Sequence, residues 1–199
     1  MFVSVSSFAR QHHTISTEKE PLEVSVNLRI NKIYNINSVQ ETYQIDGYFM
    51  YNWKNEQAIS HLKDSTANSI IFENDKEREL INSELWIPAF ELINVQGSRE
   101  VPNIRIEIYF DGTIEYEERF FATCSSNMDF KKFPFDSQVY QVAIEAFSYG
   151  SKKIVFTNPK LFLEKDHEDY LGEDWKFVNS DAHVVKKNYK YMDDNINSD

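Results

Sequence analysis

Five histidines, one cysteine and 32 acidic residues are the groups in this 199-residue chain that could do acid–base, nucleophilic or metal chemistry. Their spacing assembles none of these. His12 and His13 adjoin in a polar terminus and cannot face one metal from a rigid strand, while His61, His167 and His183 are isolated. Cys124 stands alone, which excludes an internal disulfide and a cysteine-based zinc site. There is no phosphate loop, dinucleotide glycine fingerprint or nucleophile elbow. Carboxylates are plentiful, but nothing singles out a glycosidase-like pair. The residues that pattern does set apart are of another kind. Tyr48 is a large aromatic on the polar side of a strand, and Arg105 faces Glu117 across a hairpin. Neither an enzyme nor a cofactor is expected, and any metal is left open.

The elements that must position these residues are strands. Leu22, Val24, Val26, Leu28 and Ile30 alternate with Glu23, Ser25, Asn27, Arg29 and Asn31, the period of two that marks a strand with one wet face. A turn is expected at 35–38. A strand follows over 42–53, with Tyr43, Ile45, Phe49, Tyr51 and Trp53 on one face and Thr42, Gln44, Asp46 and Tyr48 on the other. Residues 55–69 read as a polar loop and 73–82 as one short helix. Pro88 breaks the apolar run 85–95 and marks a strand start or edge.

Around Asp111 and Gly112 two hairpin registers compete. A two-residue turn sets Ile106 against Glu117; a three-residue connection with Gly112 as a bulge pairs Ile106 with Tyr116 and Ile108 with Ile114. Matching apolar to apolar selects the second, which puts Arg105 opposite Glu117, close enough for an ion pair. A strand is expected over 139–146, an acidic, loop-rich stretch over 158–174 and another strand over 174–185. Residues 1–20 read as a flexible segment ahead of one domain over 21–199. Short strands with frequent turns describe an all-β sandwich.

Composition agrees. Hydrophobic residues make up 41%, enough for a core, and 15 Phe, 11 Tyr and 3 Trp favour strands. A formal charge of −11 repels nucleic acid and anionic membrane surfaces and enriches cations nearby. No run approaches the roughly 18 apolar residues that cross a bilayer.

Residues 129–138, DFKKFPFDSQ, resemble the signature loop of the Cys-loop receptor superfamily, the pentameric ligand-gated ion channels. Segments 24–34, 41–53, 85–95, 110–116 and 145–150 resemble that family in the same order, over about residues 22–190. Animal members close the loop with two cysteines; the matching positions here are Ser126 and Tyr140, as in the bacterial, amine-gated branch. The resemblance implies an immunoglobulin-like sandwich of about ten strands, a homopentamer, and a site for a small-molecule agonist at each subunit junction. Carried over by position, the principal face is Glu145, Phe147, Tyr149 and Tyr189, with Ile93 where an aromatic is usual. The complementary face is Tyr48, Arg105 and Glu117. Coupling to a pore would pass through Asn35 and Asn37 in one loop and Phe133, Pro134, Phe135 and Asp136 in another.

An ammonium gains about 0.5–2 kcal/mol from each well-placed aromatic face, and Glu145 would add a charge-assisted hydrogen bond. Arg105 works against an amine unless Glu117 neutralises it. The resemblance further implies a cation-selective channel of the bacterial inner membrane, with this domain extracytoplasmic and acidic enough for divalent cations to act as modulators. On that expectation the last strand and the pore helices lie beyond Asp199. Two rivals stay open: a soluble pentameric binding protein, and a monomeric adhesion or carbohydrate-binding sandwich.

Overall fold

Strand alternation builds the core from both sides. The computed structural model describes residues 2–4, 21–62, 68–73, 76, 80, 85–132, 135–146, 153–163, 176 and 178–185. Among these lie ten strands: β1 (Phe2–Ser4), β2 (Leu22–Asn37), β3 (Thr42–Lys54), β4 (Ser69–Phe72), β5 (Phe90–Leu92), β6 (Glu100–Tyr109), β7 (Thr113–Ser125), β8 (Ala143–Ala146), β9 (Ile154–Leu163) and β10 (His183–Val185). One sheet runs β4-β6-β7-β3-β2-β9 and the other β10-β1-β8-β5.

On β2, Val24, Val26, Leu28 and Ile30 are buried, and on β3 so are Tyr43, Ile45, Phe49, Tyr51 and Trp53, as the alternation requires. Phe90 brings the second sheet onto them. Its ring meets Tyr51 edge-on at 4.5 Å and lies 5.2 Å from Phe156. The apolar faces of both sheets form one core, and the all-β sandwich is the fold. Gly47 is forced by this packing, because a Cβ there would sit 2.6 Å from the carbonyl oxygen of Arg29.

The β6–β7 hairpin adopts the three-residue register. Ile106 pairs with Tyr116, Ile108 with Ile114 and Arg105 with Glu117. Gly112 has φ 80°, in the left-handed region that a bulge glycine supplies. Its N–H donates to the Tyr109 carbonyl at 3.0 Å.

Several boundaries differ from expectation. β2 continues through 35–37, and the turn falls at 38–41 instead. A 3-10 helix, Glu56–Leu62, occupies part of the stretch read as loop. Of the expected helix only Glu73, Lys76 and Leu80 are described, the last two helical. Residues 158–163 belong to β9 and not to a loop. The Asn158-Pro159 pair forms a bulge, where the pairing steps from Thr157–Ser25 to Lys160–Asn27 and Asn158 takes φ 45°. Proline is tolerated there because β9 is an edge strand. β8 is shorter than expected, and within 174–185 only His183–Val185 is a described strand. Phe2–Ser4, expected in a flexible segment, pair in parallel with β8 and β10.

Candidate functional site

Tyr48, Arg105 and Glu117 lie on the outer face of the six-stranded sheet, on the three adjacent strands β3, β6 and β7. Their inward neighbours, Phe49, Ile106, Tyr116 and Glu118, are all buried. Tyr48 stands directly between Arg29 on β2 and Arg119 on β7. The Arg29 guanidinium carbon sits 4.0 Å from the Tyr48 ring centroid. Arg119 is held by both carboxylate oxygens of Asp46, at 3.2 and 2.9 Å, and Asn31 donates to the same group at 3.3 Å.

Arg105 faces Glu117 in the ladder, but the ion pair expected between them does not form. The Arg105 guanidinium turns along its own strand to Glu107. Glu107 is the more buried carboxylate and also accepts the Ser69 hydroxyl from β4. Desolvation pushes its carboxyl up, but the hydrogen bonds from Ser69 and Arg105 outweigh this and hold it below the usual range. Two donors and a drier setting decide the pairing. Glu117 keeps no ion pair among the described residues, so its charge is available to a ligand. Beside it, burial and then Glu115 and Glu107 push the Tyr109 phenol up to about 12, which keeps it a donor to Glu115 at 3.2 Å.

Glu145 is elsewhere. On β8 it alternates with Ile144 and Ala146, both fully buried in the core, and so faces outward from the four-stranded sheet, opposite Glu91 on β5. It is itself only 5% exposed. One chain therefore places Glu145 and the Tyr48 group on opposite outer faces and does not bring them together. Ile93 is 41% exposed on the loop after β5. Phe147, Tyr149 and Tyr189 lie outside the described residues, as do Phe133 and Pro134.

The two predicted coupling loops meet at one end of the sandwich. Asn37 Oδ1 accepts the N–H groups of Val39 and Gln40, both at 3.0 Å, and so shapes the turn. Asn35, at φ 49°, donates its amide to Gln44 at 2.6 Å. The Ser126 N–H donates to the Glu41 carbonyl at 3.0 Å and joins that turn to the second loop. There the Gln138 amide donates to the Asp136 carboxylate and to the Asp129 carbonyl, while its oxygen accepts the Asp129 N–H at 3.1 Å. Ser126 donates to the Val139 carbonyl, and the Tyr140 ring meets Tyr43 edge-on at 5.0 Å. The loop that cysteines would close is closed here by hydrogen bonds and ring packing. Val39 and Phe135 project outward at this end, 90% and 89% exposed.

Two further polar centres escaped the sequence reading. Asn94 ties both ends of the loop to the turn after β5: its amide nitrogen donates to the carbonyls of Ser125 and Gln141, and its oxygen accepts the Ala143 N–H at 3.0 Å. Nothing in an apolar run signals that role. Glu118 was legible, since strand parity points it inward between Tyr116 and Phe120. It pairs with Arg99 at 2.9 Å and accepts the Tyr116 hydroxyl at 2.9 Å, while Arg99 donates to the Phe90 carbonyl at 3.3 Å and so bridges the two sheets. Burial pushes the Glu118 carboxyl up, more than Arg99 and Tyr116 pull it down. Cys124 is fully buried, and desolvation raises its thiol to about 11, so it stays protonated and unreactive. Among the described residues no group of acidic, His or Cys side chains could hold a metal, and no helix is long and apolar enough to cross a membrane.

Comparison with known proteins matches residues 4–198 to the neurotransmitter-gated ion-channel ligand binding domain. A proton-gated ion channel of Gloeobacter violaceus is 28% identical over 176 residues, covering 87% of this chain and 46% of that protein. Rat gamma-aminobutyric acid receptor subunit rho-3 is 24% identical over 153 residues, 73% of this chain and 32% of the subunit. Chicken gamma-aminobutyric acid receptor subunit beta-4 is 28% identical over 140 residues, 68% and 27% respectively. The chain spans less than half the length of these relatives. All three are channels or receptor subunits, in line with a non-enzymatic protein. A two-sheet sandwich, a polar outer face built around an aromatic and a family match over almost the whole sequence lead to one conclusion: the chain belongs to the neurotransmitter-gated ion-channel ligand-binding domain family, within the Cys-loop superfamily.

Proposed function

We propose that the chain is the extracytoplasmic domain of a prokaryotic pentameric channel that binds a small amine-bearing agonist between adjacent subunits and gates a cation-selective pore in the bacterial inner membrane. The observation that carries this reading is the division of the site residues between two outer faces. Tyr48 and Glu117 belong to one sheet and Glu145 to the other, so a cleft that uses them all needs two copies set side by side. A closed ring of identical subunits supplies that junction at every interface. Phe147, Tyr149 and Tyr189 complete the principal wall in this reading.

The free carboxylate of Glu117 favours an ammonium group, and the pairing of Arg105 with Glu107 neutralises one of the cations on that face that would oppose it. The net charge of −11 concentrates cations at the outer mouth, which favours a cation-selective path and divalent modulators. The Gloeobacter violaceus channel supports the prokaryotic, membrane-bound setting. Ligand that binds the closed-up cleft more tightly than the open one shifts the gating equilibrium. The loops at Asn37 and Phe135 carry that shift to the pore.

The test is a dose-response series for small amines on the full-length protein under voltage clamp. Tyr48→Ala and Phe147→Ala should each raise the half-activating concentration by roughly tenfold, the loss of one aromatic face. Unchanged curves for both variants would remove the cleft from this account.

A further inference from the structure

The Tyr48 ring already carries a cation of the chain itself. The Arg29 guanidinium carbon lies 4.0 Å from the ring centroid, and the two residues are direct cross-strand partners on the outer face of β2 and β3. On its other side Arg29 faces Phe162 of β9 in the ladder. Its place between two aromatic positions explains why it turns to a ring. Among the described residues no carboxylate pairs with Arg29, whereas Arg99, Arg105 and Arg119 each have one. Asp46, on the adjacent strand, is committed, with both its oxygens on Arg119 and the Asn31 amide on one of them.

This sets how firmly Arg29 is held. A buried ion pair would lock the side chain, but a ring contact is weaker and can be exchanged for another cation. The Arg29 Nε is moreover shut off from solvent without an acceptor, a cost that the ring offsets only in part. Displacement would return that donor to water. Glu117 lies one strand from Tyr48 and two residues along from its partner Arg119, about 8 Å between backbones. An ammonium drawn to Glu117 therefore arrives beside a ring that a guanidinium already covers. It must push Arg29 away or use the opposite face, where the ring's attraction for a second cation is diminished.

We propose that Arg29 is a built-in competitor of the ligand: its guanidinium takes the Tyr48 ring in place of an ammonium and holds down the affinity of the cleft for plain amines. The inference rests on Tyr48 forming a wall of an amine-binding cleft. It adds the residue that limits what that wall contributes.

A double-mutant cycle tests it, by isothermal titration of butylamine into the purified full-length protein. Arg29→Gln should tighten butylamine by roughly three- to tenfold, the recovery of an aromatic face. In the Tyr48→Ala background the same substitution should change affinity by less than about twofold, because no ring remains to be freed. Arg29→Met, which keeps an apolar stem over the ring without the charge, serves if the glutamine variant does not fold. An equal gain in both backgrounds overturns the proposal, since Arg29 would then act only as a charge at a distance. Unchanged or weaker binding in Arg29→Gln overturns it as well. So does dissociation of the pentamer on light scattering in both Arg29 variants, which would make Arg29 the partner of a group on the next subunit. Tyr48→Ala separates the two levels. If it weakens butylamine while Arg29→Gln has no effect, only the competition falls; if it changes nothing in either background, the cleft falls with it.

Discussion

Arg105 shows how far a single residue can be read from sequence. Apolar matching across the hairpin put it opposite Glu117, and the ladder does so. The choice of ion-pair partner was beyond reach, because Glu107, two residues along the same strand, competes on almost equal terms of distance. Ser69 settles it, from a strand more than thirty residues earlier whose pairing no local pattern reveals. The consequence is measurable. Arg105→Ala leaves the largely buried Glu107 carboxylate with one donor fewer and should cost about 1–3 kcal/mol. Glu117→Gln removes a charge with no partner and should change stability by less than about 0.5 kcal/mol. Urea unfolding midpoints of the two variants decide the matter; equal losses would restore the cross-strand pair.

At the scale of the element, β2, β3 and the β6–β7 hairpin were legible because each buries one face only, and period-two alternation then writes itself into the sequence. β9 was not, since Asn158-Pro159 mimics a turn and the strand's partner, β2, lies over 120 residues away. β7 carries a signal of a different sort, an acid on the core side. Burial holds the Glu118 carboxyl above its ordinary value, so the folded protein holds this proton more tightly than the unfolded chain does. Its contribution is then fully present below the unfolded value near 4.5 and is lost as pH rises through the raised folded value. Wild-type stability relative to Glu118→Gln should therefore decline from about pH 4.5 upward. Parallel denaturation curves at each pH check this. A flat difference, or one that grows with pH, would show that the Arg99 ion pair outweighs desolvation and that the carboxyl is charged in the fold.

The whole molecule divides its labour between faces and ends. The sheets' outer faces carry Tyr48, Arg29 and Glu117 on one side and Glu145 on the other, while the end built from the 38–41 turn and the loop between Ser126 and Tyr140 presents Val39 and Phe135 to solvent. Apolar side chains exposed to about nine-tenths contribute little to the fold, and Val39 and Phe135 are free to meet another surface. In the proposed channel that surface belongs to the pore domain, reached through a loop whose closure depends on Ser126, Gln138 and Asn94 in place of a disulfide. Binding and coupling should then separate cleanly. Phe135→Ser should leave the unfolding midpoint within about 0.5 kcal/mol of wild type and leave agonist affinity by calorimetry unchanged, because Phe135 touches neither the core nor the outer-face site. The same variant under voltage clamp should need more agonist to open or pass less current at saturation, since the difference between closed and open states would no longer reach the pore in full. Asn94→Ala tests the other half of the same idea. Losing the amide takes a donor from the carbonyls of Ser125 and Gln141, the latter keeping only the Tyr43 hydroxyl, and the acceptor from the Ala143 N–H, so this variant should lose stability as well as coupling. Reduced opening in Asn94→Ala together with a normal response in Phe135→Ser would place the transmission in the loop's frame and not at its exposed tip.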